Sequence, residues 1–159
     1  MLLYPWALGA LVFILGTIIG SFLNVLIYRM GSGAGYWGRS RCLACGKPLT
    51  AWMLIPLLSF FFQRGRCVYC GTKLSWQYPL IELSSGLLFL IVWWVHQFDP
   101  FSSDLTETVF FLLDLVIWST LLLITAYDLK HKIILDRLSL LLALLAVDRA
   151  DGDDAAPAL

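Results

Sequence analysis

The sequence predicts an all-α polytopic membrane protein, with three spans and a partial fourth, carrying a small cytoplasmic four-cysteine zinc-binding module. Three observations predict it. Of the 159 residues, 60% are apolar and only 14% charged, far from the balance of a soluble domain. The apolar residues gather into runs near the length that crosses a hydrocarbon core of roughly 30 Å. All four cysteines fall in one intervening segment as two C-x2-C pairs. A chain of this length holds three or at most four spans plus one small extramembrane module, which excludes a large soluble catalytic domain. Eleven basic residues balance eleven acidic ones, but the two signs are segregated along the chain, and no basic surface suited to nucleic acid emerges.

The first apolar run, residues 6–28, carries no charge before Arg29. A secretory signal peptide would have a basic start, a shorter apolar stretch and a small-residue cleavage site. Met1-Leu2-Leu3-Tyr4-Pro5 is uncharged, so residues 6–29 read as a retained helix. Ser21 and Asn24 on this helix are candidates for hydrogen bonds to a neighbouring span.

Residues 30–78 form the module. Between Met30 and Ile81 the charged side chains are Arg39, Arg41, Lys47, Arg64, Arg66 and Lys73, with no acid among them, and such a segment stays in the cytoplasm by the positive-inside rule. Cys42-Leu43-Ala44-Cys45 and Cys67-Val68-Tyr69-Cys70 lie twenty-one residues apart, a spacing close to that of four-cysteine zinc sites. Gly46 and Gly71 follow the pairs and relieve the turns. The neighbouring cations Arg41, Lys47 and Arg66 help offset the charge of four thiolates on one divalent ion. The competing reading is two disulfides or a redox pair, as in a membrane thiol oxidoreductase. Reactive pairs of that kind face the oxidising side, opposite to the side that the charges assign. Between the pairs, residues 52–62 are apolar, broken by Pro56 and too short to span, so they lie on the membrane surface or dock against the helices.

The second span covers residues 79–95. Residues 96–108 carry Asp99, Asp104 and Glu107 without a Lys or Arg and belong outside. The third span, residues 109–127, returns the chain to a segment with Asp128, Lys130, His131, Lys132, Asp136 and Arg137, cytoplasmic again. Residues 128–147 make an incomplete fourth helix, since only ten apolar residues follow Arg137. Residues 148–159, small and acidic, read as a disordered tail. No internal repeat is found.

Carboxylates inside spans cost a few kcal/mol each and usually have a role. Glu82 near the start of the second span either sits at interface depth or acts. Asp114 within the third either acts or bonds Ser119, Thr120 or an amide of a neighbouring helix. Asp128 falls at the cytoplasmic end of a span, where a carboxylate is partly desolvated yet reaches water, a setting suited to acid–base chemistry. Two carboxylates sharing a proton are what an aspartic protease requires. Asp136, about 80° round and roughly 12 Å along a continuous helix from Asp128, is a poor geometric partner unless residues 130–135 break the helix.

Several motifs in one order resemble the bacterial type IV prepilin peptidases, the bifunctional leader peptidase and N-methyltransferase enzymes of pilus and type II secretion systems. Gly20-Ser21-Phe22-Leu23-Asn24-Val25-Leu26-Ile27-Tyr28-Arg29 is similar to that family's opening signature, and Ser40-Arg41-Cys42 through Cys45-Gly46 to its first knuckle. Leu54-Ile55-Pro56-Leu57-Leu58-Ser59, Arg64-Gly65-Arg66-Cys67-Val68-Tyr69-Cys70 and Tyr78-Pro79-Leu80-Ile81-Glu82-Leu83 continue the order. The resemblance covers most of residues 16–142.

It implies that Cys42, Cys45, Cys67 and Cys70 bind structural Zn2+ in the part associated with methyl transfer from S-adenosylmethionine, with Gly65 and Glu82 as further methyltransferase-associated residues. It implies that Asp128 is the first catalytic aspartate, with Asp136 supporting it, although Leu135 stands where the family has proline. The family's second aspartate sits in a Gly-x-Gly-Asp motif several dozen residues beyond the first, whereas this sequence ends thirty-one residues after Asp128, and Ala150-Asp151-Gly152-Asp153 is no convincing substitute. The expectation is therefore an N-terminal domain with the first half of a protease core, cut short by a fragment boundary, a frameshift or a premature stop, or else a degenerate paralogue. The implied partners are prepilin or pseudopilin substrates and the lipid bilayer, and the implied location is the bacterial inner membrane. Two other functions compete: a catalytically incomplete zinc-bearing membrane module that binds prepilins or needs a partner chain, and the thiol oxidoreductase.

Overall fold

The computed structural model describes residues 4–32, 38–96 and 105–131. Its elements are α1 (Tyr4–Ser32), a single 3-10 turn (Ala51–Leu54), α2 (Leu58–Phe62), α3 (Gln77–His96) and α4 (Leu105–His131). Among the described residues there is no β-strand, only two isolated bridges, Arg41 with Pro48 and Arg66 with Lys73. Three helices are long and apolar enough to cross a membrane: Trp6–Met30, Gln77–His96 and Leu105–Lys130. A helix is the form these stretches take in lipid because it satisfies every interior N–H and C=O within the segment. The Ser75 hydroxyl accepts the Gln77 N–H at 3.2 Å and caps the start of α3, and Pro79 sits in the first turn, where a missing N–H costs nothing.

Lipid tails are as apolar as leucine, so hydrophobicity alone does not press one span on another; close packing and polar contacts must. α1 and α3 meet through small residues. A Cβ added to Gly16 would stand 2.8 Å from the Gly86 Cα and the Ser85 carbonyl oxygen, and one added to Gly20 would stand 2.8 Å from the Glu82 Cα. Gly16-x-x-x-Gly20 is thus a small-residue seam that hydropathy does not reveal. Two apolar layers flank it. Leu23, Ile27, Ile81 and Leu123 form the one toward the module, with Ala126 and Tyr127 packed against them; Phe89, Val92, Phe111 and Leu115 form the other.

The helices are longer than the apolar runs. α1 continues to Ser32, α3 begins at Gln77, and α4 continues to His131, so Asp128 lies in the last turn of α4 rather than past it. Residues 132–159, with Asp136, the half-helix and the tail, lie outside the described residues, as do residues 97–104 of the acidic loop.

The module contains a repeat, contrary to the expectation of none. Cys42 N–H bonds the Lys47 carbonyl at 2.9 Å, Gly46 N–H the Cys42 carbonyl at 2.8 Å and Leu49 N–H the Ser40 carbonyl at 2.8 Å. The same three bonds, at the same lengths, join Cys67 to Thr72, Gly71 to Cys67 and Leu74 to Gly65. The unit is R-C-x2-C-G-x2-L-[ST], read twice at residues 41–50 and 66–75. It is short and its variable positions differ, which is why it escapes a search at the scale of whole structural repeats.

Candidate functional site

Each C-x2-C pair sits on a turn that points both sulfurs the same way. Gly46 and Gly71, both with φ +71, occupy the left-handed position that ends the turn, where a Cβ would be strained. The two knuckles face one another, so that all four Sγ atoms lie within 4.8 Å of each other, and Cys42 Sγ is 3.8 Å from Cys70 Sγ. Sulfurs held about 2.3 Å from a tetrahedral zinc stand roughly 3.8 Å apart along each edge. All four cysteines are free thiols, and the cluster could hold a metal ion.

The protons of this cluster are unevenly held. The Cys45 and Ala44 amides pull the Cys42 thiol below its ordinary value, and the hydroxyl and amide of Thr72 bring Cys70 down to about 6. Cys45 goes the other way, to about 11: the Lys47 amide favours its thiolate, but lost hydration and the adjoining Cys42 and Cys70 sulfurs outweigh it. Each thiolate in such a group opposes the next, and a bound divalent cation removes that opposition. Lys47 is held nearby, its Nζ 5.2 Å from the Tyr69 ring centroid.

Glu82 connects the module to the spans. The carboxylate is buried within α3 and accepts the backbone N–H of Leu57 at 2.7 Å. Leu57 has φ 60 and ψ −55, a conformation that an L-residue keeps only when its surroundings enforce it. Asn24 extends the polar seam by donating to the Tyr78 carbonyl at 3.1 Å; among the described residues its Oδ1 is buried without a partner. Gly65, at φ +64, joins α2 to the second knuckle, and a Cβ there would stand 3.1 Å from Phe60 Cζ. Phe60 in turn packs on Trp76 with ring centroids 5.0 Å apart. Both Gly65 and Glu82 therefore have structural work that their positions in the sequence do not announce.

The acids in the third span behave differently from one another. Asp114 bonds neither Ser119 nor Thr120, whose hydroxyls turn back to the Leu115 and Val116 carbonyls of their own helix. Its Oδ2 is 2.6 Å from His96 Nε2 at the end of α3. Asp128 stands in the last turn of α4, near the Lys130–Tyr28 contact, where Nζ lies 5.7 Å from the ring centroid of α1's tyrosine. Among the described residues the Asp128 Oδ1 is buried with no hydrogen-bond partner.

A family model described as the bacterial peptidase A24 N-terminal domain matches residues 14–96, more than half of the chain. The chain belongs to this family. The A24 match takes in the α1–α3 seam, both knuckles and Glu82. A curated relative from Neisseria gonorrhoeae is 37% identical over 108 residues, covering 52% of this chain and 38% of its own length. One from Dickeya chrysanthemi is 43% identical over 110 residues, covering 54% and 38%. One from Klebsiella pneumoniae is 34% identical over 144 residues, covering 86% and 59%. Each is named prepilin leader peptidase/N-methyltransferase, and the chain spans between 38% and 59% of these three. The Klebsiella alignment leaves about 22 residues of this chain uncovered, fewer than the 31 that follow Asp128, so Asp128 falls within it. No solved structure matches the chain.

The donor set fits zinc. The described groove beside α1 is lined by apolar side chains with the hydroxyls of Ser21 and Ser40 and by no carboxylate. Glu82 is already engaged by Leu57.

Proposed function

We propose that this A24 domain belongs to a prepilin leader peptidase of the bacterial inner membrane, acting on prepilin or pseudopilin leaders at the cytoplasmic face and followed by N-methylation of the new terminus. The observation that carries the reading is Asp128: a carboxylate oxygen buried without a partner among the described residues, one turn from the end of a span, in a chain of this family. A group so placed costs free energy unless it is used. In an aspartic mechanism one ionised carboxylate draws a proton from water as the water attacks the scissile carbonyl. A protonated second carboxylate donates to the developing oxyanion, and the proton then passes to the leaving amine. Asp128 supplies one of the two. The second is not among the described residues, and Asp136 is a supporting group only.

Cys42, Cys45, Cys67 and Cys70 would hold Zn2+ as a structural ion, since four thiolate donors from the protein leave no need for a substrate ligand. The substrate class follows from the relatives' names and from the membrane location of Asp128, which suits a substrate anchored as a helix.

The test is co-expression of the chain with a prepilin in cells lacking their own peptidase, with the pilin N-terminus read by mass spectrometry. Cleaved pilin that disappears with Asp128→Asn supports the protease reading. Cleavage that survives Asp128→Asn refutes that role for Asp128.

A further inference from the structure

We propose that residues 54–62 form a re-entrant wedge inserted into the bilayer leaflet on the module's side, fastened by a rim of arginines and lysines to anionic lipid headgroups. This rests on the spans and the module, and is independent of the proposed chemistry.

Depth is the first observation. Leu54 and Pro56 share a groove of about 280 Å3 with Ile18, Ser21, Phe22 and Val25 of α1. At 1.5 Å per residue those positions lie roughly 7 to 18 Å inside the Met30 end of the span. The Leu57 N–H reaches Glu82, five residues and thus roughly 7 Å into α3. Two separate helices therefore place residues 54–57 below the end of the bundle, among acyl chains rather than in water.

Surface chemistry is the second. Leu54, Ile55, Leu58, Phe61 and Phe62 are between 39% and 79% exposed, a contiguous apolar ridge of the kind that soluble surfaces avoid. In α2 the exposed residues 58, 61 and 62 share one face by their i, i+3, i+4 spacing, while Phe60 turns inward to Trp76.

The backbone is the third. Non-helical chain at membrane depth must have its polar groups satisfied locally. Pro56 has no N–H, Leu57 N–H has the Glu82 carboxylate, Leu58 N–H bonds the Pro56 carbonyl at 2.6 Å and Ser59 N–H the Ile55 carbonyl at 3.0 Å.

Charge selects the lipid. Arg41, Lys47, Arg64, Arg66 and Lys73 are exposed in the segment that carries the ridge, Arg64 two residues from Phe62, and there is no acid from Met30 to Ile81. Such a segment favours phosphatidylglycerol-like headgroups over zwitterionic ones.

The test reconstitutes the full chain in phosphatidylglycerol-containing vesicles with a phospholipid carrying a photoreactive diazirine at mid-chain, and maps the labelled residues by mass spectrometry. The expected result is labelling of residues 54–62 to the same extent as the lipid-facing side of α1, with residues 43–44 and 68–69 at the knuckle tips unlabelled. Replacing phosphatidylglycerol by phosphatidylcholine is expected to lower the labelling of 54–62 several-fold and leave that of α1 unchanged. Absence of label on 54–62, crosslinks there to a second copy in place of lipid, or labelling indifferent to headgroup charge would overturn the proposal.

Discussion

Replacing Glu82 by alanine should loosen the module from the spans by a calculable amount. The Leu57 N–H···Glu82 bond is 2.7 Å long and its acceptor is a carboxylate, the kind of bond that contributes roughly 1.5–3 kcal/mol. Its loss also leaves a donor unpaired and removes the contact that holds Leu57 at φ 60, a conformation costing about 1–3 kcal/mol by itself. Local opening of residues 55–59 should then become easier by about 2 kcal/mol, or roughly 30-fold in amide exchange. Glu82→Gln keeps an oxygen in place and loses only the charge assistance, so its exchange should rise by no more than about 5-fold. Hydrogen–deuterium exchange on the full chain in lipid nanodiscs, reporting on residues 57–59, measures both. Wild-type protection in Glu82→Ala, or equal loss in Ala and Gln, would refute the assignment of Glu82 as an acceptor that holds the loop.

Gly16→Ala and Gly20→Ala should each lower the denaturation midpoint in detergent by the equivalent of about 1–3 kcal/mol, because the new methyl meets backbone that cannot step aside. Gly9→Ala, whose methyl would meet side chains alone, the Trp93 ring at 3.1 Å and Leu90 Cδ2 at 3.7 Å, should cost less, and three equal midpoints would argue against the seam. In the metal-free chain, Cys70 ionises above about 6 while Cys45 keeps its proton to about 11. Iodoacetamide near neutral pH should therefore modify Cys70 well before Cys45, the difference narrowing as pH rises and both becoming protected by zinc. Cys67→Ser should abolish stoichiometric zinc binding measured by atomic absorption, and retention of one zinc per chain would exclude a four-thiolate site.

The three spans and the cysteine cluster were legible because their signals are local: a run of apolar residues of fixed length, and paired ligands at a turn's spacing. The helix ends were less so. The helical hydrogen-bond ladder continues past the last apolar residue, which carries α4 through Asp128 to His131. Pairings across the chain were not legible. Asp114 has polar neighbours in its own helix, but their hydroxyls are taken by carbonyls one turn back, and His96, eighteen positions away, supplies the partner. Likewise nothing in the residues around Glu82 names a backbone amide twenty-five positions earlier as its partner. The close approach at Gly16 and Gly20 had a readable signal in G-x-x-x-G spacing, masked by the general apolarity of the helix.

The paired knuckles also set an order of assembly. Each closes on itself through a Gly N–H to Cys C=O bond across four residues, a loop short enough to form on the nanosecond to microsecond scale. Two such pincers have one long closure left between them, and a bound ion would make it by joining them. The chain between the pincers is the membrane-facing ridge itself. With an ion bound, residues 54–62 would hang from two fixed points; without it the segment would keep its own holds, Leu57 on Glu82 and Phe60 on Trp76, while the two pincers would be free to part.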